Sequence, residues 1–283
     1  MTREEAVRRI ERAVEEKLIE LDLSGLELEE VPPEIAKCMQ LETLRLGVGS
    51  INNRWLRNKL TKFPDTVLGL TNLKKLDLSY NQITQLPKGL GQLFNLTQLD
   101  LSYNQITQLP KGLRQLFNLT QLDLSYNQIT SIPEVIWQLS SLKWLNFSGN
   151  QITCIPEALG QLFNLTNLGL HGNQITCIPE ALGQLSNLTR LWLDENQITC
   201  IPEVLGQLSN LKELDLSSNQ ITSVPEAIGQ LSNLEELFLN SNKLNLYPRS
   251  ARATVQSGIA LPRWKSDYLH SRGDRTTAEA ENI

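Results

Sequence analysis

Residues 188–208, LTRLWLDENQITCIPEVLGQL, contain the pattern that decides the fold of this 283-residue chain. Leu191 and Leu193 alternate with Arg190, Trp192 and Asp194, Asn196 follows, and Ile201-Pro202 opens a second apolar segment. Apolar and polar side chains that alternate in this way are typical of a short, half-buried strand. Each copy of the pattern therefore predicts one strand, followed by a return segment that begins near the proline.

The pattern repeats along most of the chain with a period of 23 residues. Its asparagine recurs at Asn58, Asn81, Asn104, Asn127, Asn150, Asn173, Asn196, Asn219 and Asn242. Eight copies are nearly perfect, and two less regular copies open at Leu18 and Leu41. Stacking of identical units predicts a parallel sheet, because each strand lies beside the same strand of the next unit.

This unit, L-x-x-L-x-L-x-x-N-x-[IL]-T-x-[LIV]-P, resembles the leucine-rich repeat. Its 23-residue length is similar to the intracellular repeats of bacterial proteins, Ras-linked scaffold proteins and the Roco family. The resemblance implies an α/β fold: a right-handed solenoid, or horseshoe, of about ten coils with a parallel concave sheet. The chain itself contains no G-x-x-x-x-G-K-[ST] phosphate-binding motif, so it carries no Roco GTPase.

The chain divides into three parts. Residues 1–17 are expected to form an N-terminal capping helix, and residues 18–248 the solenoid. Residues 249–283 lose the periodicity and are expected to form an irregular cap and a flexible tail. The second unit carries nine extra residues within positions 47–57, which predict a loop beside the N-terminal strands. Trp55 is expected either to pack against that edge or to contact a partner, and packing is favoured.

The asparagine column is interpreted as structural. An amide side chain both donates and accepts hydrogen bonds, so stacked asparagines can bond the backbone of adjacent turns. The predicted ladder consists of Asn81, Asn104, Asn127, Asn150, Asn173, Asn196, Asn219 and Asn242.

Composition narrows the function classes. The net charge of −5 argues against a nucleic-acid partner. No export signal and no apolar run long enough for a membrane span is found in the sequence, which favours a cytoplasmic protein without a membrane partner. Cys154, Cys177 and Cys200 lie one repeat apart, and a collinear column does not suit tetrahedral zinc, so no metal or cofactor is expected.

Side chains that point outward from the strands should carry recognition. Diversity on this face begins at Trp144, and large aromatic side chains with arginine are the residues enriched in protein interfaces. The predicted partner-binding residues are Trp144, Asn146, Asn167, Gly169, His171, Arg190, Trp192 and Asp194. Gly169 is expected to leave an open space beside Trp192. A His171–Asp194 pair could suggest catalysis, but no nucleophile is placed with it, so no catalytic residue is assigned.

Two functions fit these observations. The first is a non-catalytic scaffold or signalling module whose concave face binds a protein, such as a small GTPase or another signalling protein. The alternative is a regulatory or sensing arm of a larger enzyme, such as a Roco-type GTPase or a kinase, whose catalytic domain lies outside this chain.

Overall fold

A computed structural model describes residues 2–51 and 54–244. The chain begins with helix α1 (Thr2–Glu15) and continues into a ten-stranded parallel sheet with its strands in sequence order. The sheet strands are β1 (Glu20–Asp22), β2 (Thr43–Arg45), β5 (Lys75–Asp77), β6 (Gln98–Asp100), β7 (Gln121–Asp123), β8 (Trp144–Asn146), β9 (Asn167–Gly169), β10 (Arg190–Trp192), β11 (Glu213–Asp215) and β12 (Glu236–Phe238). The predicted solenoid with a parallel sheet and an N-terminal helix is confirmed. The predicted tail, 249–283, lies outside the described residues.

Short 3₁₀ helices form the opposite side of the coils in the described part of the chain. They span Pro33–Lys37, Asp65–Gly69, Lys88–Gln92, Lys111–Gln115, Ile136–Gln138, Glu157–Gln161, Glu180–Gln184, Glu203–Gln207 and Glu226–Gln230. In most coils the repeat proline is the residue before this helix, as at Pro87, where φ is −69° and ψ is 146°. The proline thus sets the extended turn that enters the helix.

The core lies between the sheet and the 3₁₀ helices. Leu191 on β10 and Leu193 just after it are fully buried, as is Leu205 on the 3₁₀ helix of the same coil. One end of this core is covered by α1, whose Ala6, Ile10 and Ala13 are completely buried. Burial of apolar surface between coils is the main stabilising contribution in such an array, because each coil contacts only its neighbours.

The asparagine column bonds each coil to the one before it. Asn150 Nδ2 donates to the carbonyl of Leu124 in the preceding coil at 2.9 Å, and to Phe147 and Ser148 in its own coil. Its Oδ1 accepts from the Ile129 amide at 2.9 Å. The same arrangement recurs from Asn81 to Asn242, so buried backbone groups at every turn have partners.

A second asparagine ladder, which the sequence reasoning missed, lies three residues before seven of the sheet strands, β5 to β7 and β9 to β12. Asn95 Nδ2 donates to the Thr71 carbonyl at 2.9 Å, and Asn187 donates to Phe163 at 2.8 Å. The equivalent bonds are made by Asn72, Asn118, Asn164, Asn210 and Asn233. The repeated N-L-[TKE] element contained this signal.

The inserted segment is a β-hairpin, not the irregular loop that the sequence predicted. β3 (Val48–Ile51) pairs antiparallel with β4 (Arg54–Arg57). The hairpin lies against the first coil, where Gly25 has a φ of +69° and approaches Gly49 closely. Of the two expectations for Trp55, packing against the edge is wrong, since this residue is 74% exposed. Beyond the insertion, Asn58 returns to the asparagine column and is fully buried.

Candidate protein-binding surface

The eight predicted binding residues lie together on three adjacent strands and the turns after them. Trp144, Asn167 and Arg190 stand side by side in register across β8, β9 and β10. Asn146, Gly169 and Trp192 form the parallel row, while His171 and Asp194 follow the ends of β9 and β10. One continuous patch of the sheet therefore carries all eight.

Glu213 on β11 contacts two long side chains of the patch, Trp192 and Arg190. Trp192 Nε1 donates to Glu213 Oε1 at 2.9 Å, and Arg190 Nε lies 3.7 Å from Glu213 Oε2. Because one carboxylate contacts both side chains, it restricts their rotamers. The sequence reasoning did not include Glu213, although its place in the same outward column, one strand later, was the available signal.

Gly169 does not leave the open space that the sequence predicted beside Trp192. A Cβ at Gly169 would collide with the amide of Asn146, whose Oδ1 also accepts from the Ser148 backbone at 3.0 Å. The absence of a side chain at Gly169 therefore accommodates Asn146. The aromatic ring of Trp192 stands beside a polar, filled surface, and both Trp144 and Trp192 are partly exposed there.

His171 and Asp194 form a hydrogen-bonded pair. His171 Nδ1 lies 2.8 Å from Asp194 Oδ2, and this bond raises the pKa of His171 above its usual value despite partial burial. The paired imidazole and carboxylate can form hydrogen bonds with a polar group of a partner. A catalytic triad would also need a nucleophile in hydrogen-bond reach of the histidine, and none of the contacts of His171 supplies one.

Three consecutive coils before the patch carry a different surface. Asp77, Asp100 and Asp123 stand side by side, and each accepts a hydrogen bond from the amide two residues later, at 2.8–2.9 Å. Burial raises the pKa of all three carboxyls, to about 6 for Asp123. These aspartates therefore sit where an ionised carboxylate is poorly solvated.

A stack of tyrosines lines the edge next to these aspartates. The rings of Tyr80 and Tyr103 are 4.1 Å apart between centroids, and those of Tyr103 and Tyr126 are 4.2 Å apart. All three residues have φ between 52° and 54°, a left-handed conformation that the turn before each ladder asparagine requires. Glycine takes the same position at Gly149 and Gly172, where the stack ends.

The cysteine column presents separate thiols. Cys154, Cys177 and Cys200 are exposed and unbonded. Within residues 2–51 and 54–244, no three histidine, cysteine or acidic side chains are grouped so that they could hold a metal ion. The same part of the chain contains no helix that is long and apolar enough to cross a membrane.

Fold and surface together define a class: a solenoid of stacked strand-and-turn coils with a varied side-chain surface on its sheet. Comparison with family models gives the family. A model described as "Leucine-rich repeat region" matches residues 88–192 and 134–257, and another described as "Leucine rich repeat" matches residues 57–106. The chain belongs to the leucine-rich repeat family.

Solved structures give similar results. A leucine-rich repeat protein of Leptospira interrogans is 35% identical, with a TM-score of 0.75 over 85% of this chain and 66% of its own. The ectodomain of the Arabidopsis thaliana membrane receptor kinase GASSHO1/SCHENGEN3, in complex with CASPARIAN STRIP INTEGRITY FACTOR 2, is 36% identical with a TM-score of 0.69. That match covers 79% of this chain and 27% of the receptor chain.

The plant peptide hormone receptor RGFR1, in complex with RGF2, is 34% identical with a TM-score of 0.65, over 76% of this chain and 34% of its own. This chain therefore spans less than two thirds of the length of each of these three proteins. A comparison with curated protein sequences finds no significant match.

Proposed function

We propose that this chain is a non-catalytic interaction module that binds a protein partner on the concave face of its sheet, in a scaffold or signalling role in the cytoplasm. The leucine-rich repeat is a common protein-binding scaffold, and two of the similar structures were determined with bound ligands. The proposed site is the patch on β8, β9 and β10 with its following turns. A small GTPase or another signalling protein is the kind of partner that the repeat type suggests.

The observation that carries the proposal is the pair of partly exposed tryptophans with Arg190. Outward side chains of the sheet do not fill the core, so Trp144 and Trp192 contribute little to folding. Tryptophan and arginine are the residues that most often dominate binding energy at interfaces. Glu213 holds Trp192 and Arg190 in place, which lowers the entropy lost when a partner binds.

The test is affinity capture with matched variants. Proteins that the wild-type chain retains from a lysate of its source organism would first be identified. The affinity of each purified candidate would then be measured for the wild type and for the Trp192→Ala variant. We expect affinity to fall by roughly 2 kcal/mol or more, with nearly unchanged melting temperature. Arg114→Ala, on the exposed side of a 3₁₀ helix, is the control and should bind as the wild type does. A partner that depends on Arg114 and is indifferent to Trp144, Arg190 and Trp192 would overturn the proposed site.

The alternative function is a regulatory or sensing arm of a larger enzyme. Similarity to the ectodomain of a membrane receptor kinase favours it, because that protein joins such repeats to a catalytic part. The full reading frame of the gene distinguishes the two: a kinase or GTPase domain in the same frame supports the arm, and a frame without any such domain supports the separate module.

A further inference from the structure

The concave face is more acidic than the chain as a whole. The outward positions of β5 to β12, together with the two outward residues of each following turn, carry eight carboxylates against the basic side chains of Lys75, Arg190 and His171. The whole chain has 31 acidic and 26 basic residues, so the surplus of negative charge is concentrated on this face. A partner of opposite charge is attracted to such a surface.

The N-terminal half of this face has a regular structure that the proposed function does not use. Asp77, Asp100 and Asp123 form one row, and Tyr80, Tyr103 and Tyr126 form the row beside it, which together we call the double row. The stacked rings make a rigid border whose hydroxyl oxygens accept hydrogen bonds. Carboxylate and hydroxyl oxygens can accept hydrogen bonds from ammonium and guanidinium groups, which only donate.

The double row also has unused hydrogen-bonding capacity. In two other coils, Ser102 Oγ donates to Asp100 at 2.7 Å and Ser217 Oγ donates to Asp215 at 2.6 Å. The equivalent hydroxyl of Ser125 is buried without a hydrogen-bond partner. Burial also raises the pKa of the three aspartates, so their ionised form is poorly solvated by water. A cation placed over the row would stabilise that ionised form.

We propose that the double row is a second binding site, which takes a basic segment of a protein partner through its lysine or arginine side chains. The segment crosses the three coils and places its cationic groups over the aspartates, with the tyrosine stack on one side. Because the three coils are near copies, the site presents the same carboxylate and hydroxyl at each strand spacing of about 4.8 Å. It lies beside the patch around Trp192 and does not include it.

The test uses a labelled arginine–serine octapeptide, (Arg-Ser)₄, and the full chain, with binding measured by fluorescence anisotropy at 150 mM salt. The variant is the triple substitution Asp77→Asn, Asp100→Asn and Asp123→Asn. Asparagine at the equivalent position of the next coil, Asn146, makes the same bond to the backbone, so the turns should fold normally. The control is Glu180→Gln, Glu203→Gln and Glu226→Gln, which removes the same charge from exposed positions on the 3₁₀ helices.

We expect the wild type and the control to bind the peptide within about twofold of each other, and the aspartate variant to bind at least about tenfold more weakly, because three charge-assisted contacts are lost. The acidic peptide (Glu-Ser)₄ should not bind. Equal weakening by both triple variants would show attraction by net charge alone and overturn the site, as would no binding by the wild type. Trp192→Ala should leave binding of the peptide unchanged, because Trp192 lies outside the double row. Failure of the double-row proposal can therefore be distinguished from failure of the proposed function.

Discussion

At the scale of single residues, the ladder asparagines are the most demanding positions. Asn150, for example, makes four hydrogen bonds with backbone groups at a buried turn: three through Nδ2 and one through Oδ1. No other side chain of similar size has two N–H donors and an acceptor. Their role could be predicted from the repeat. The regular copies all have asparagine at this position, which indicates that each turn needs a side-chain amide that both donates and accepts hydrogen bonds. The three-dimensional partners follow from the stacking of one coil on the next.

Asn150→Ala is expected to lower the free energy of unfolding by about 1–3 kcal/mol, because the carbonyls of Leu124 and Phe147 and the amide of Ile129 lose their buried partner. Chemical denaturation monitored by circular dichroism measures this change. Ser148→Ala, two residues away, should cost little and is the control. If both variants lost the same stability, the ladder would not be the cause.

The buried aspartates make stability depend on pH. The pKa of Asp123 is about 6 in the folded chain, whereas an unperturbed aspartate has a pKa of about 3.9. Between these values the folded chain binds more protons than the unfolded chain, so stability falls as the pH rises through this window. The destabilisation is fully present above the folded pKa.

Asp123→Asn should therefore raise the free energy of unfolding at pH 7.5, by on the order of 1–2 kcal/mol, and change it little at pH 4. The amide keeps the bond to the Ser125 backbone that Asp123 makes at 2.8 Å. Thermal unfolding from pH 4 to pH 8 measures the effect, with Glu203→Gln, an exposed carboxylate, as the control. Destabilisation of the asparagine variant at pH 7.5 would contradict the argument.

At the scale of elements, the insertion shows where sequence reasoning reached its limit. Periodicity located the nine extra residues, but their glycines and polar residues were interpreted as a loop. The polar pair Asn52-Asn53 in the middle of the insertion was the available signal in the sequence, since polar pairs that contain asparagine are frequent between paired antiparallel strands. The exposure of Trp55 could not be predicted, because it depends on the direction in which the hairpin leaves the coil.

Removal of residues 48–56 should leave the solenoid folded, because it gives the second coil the length of the regular coils. In the shortened coil, Arg57 precedes Asn58 as Tyr80 precedes Asn81 in the next coil. That place requires a positive φ, which costs a non-glycine residue roughly 1–2 kcal/mol. Combining the deletion with Arg57→Gly, as in Gly149 and Gly172, should remove most of this cost. Circular dichroism and thermal unfolding are the measurements. Loss of cooperative unfolding in the deletion with glycine would mean that the hairpin is part of the core.

At the scale of the whole molecule, the sheet order and the capped N-terminal end could be predicted, because a repeated unit has one way to stack. The surface details could not. The contact of Glu213 with both Trp192 and Arg190, and the collision that keeps Gly169 small, arise from neighbours that are 21–23 residues apart in sequence. Such contacts depend on side-chain rotamers, which periodicity does not determine.

The capping helix should control the stability of the N-terminal coils more than that of the distant ones. Ile10→Ala removes a completely buried side chain at the end of the array, and we expect a loss of about 2–4 kcal/mol. Because each coil contacts only its neighbours, hydrogen exchange should accelerate most in β1 and β2 and least in β9 and β10. Glu11→Ala, exposed on the same helix, is the control. Uniform acceleration along the chain would indicate a single cooperative unit.

The asparagine ladder has a consequence for how such a chain can change its length. Every coil brings the amide that bonds the coil before it and the carbonyl that accepts from the coil after it, so its two sides match any other regular coil. Duplication of one 23-residue segment therefore creates no new kind of junction and extends the sheet by about 4.8 Å. The near-identical coils around Tyr80, Tyr103 and Tyr126 fit such growth by gene duplication, in which copy number sets the reach of the binding face and later substitutions give each copy its own recognition chemistry.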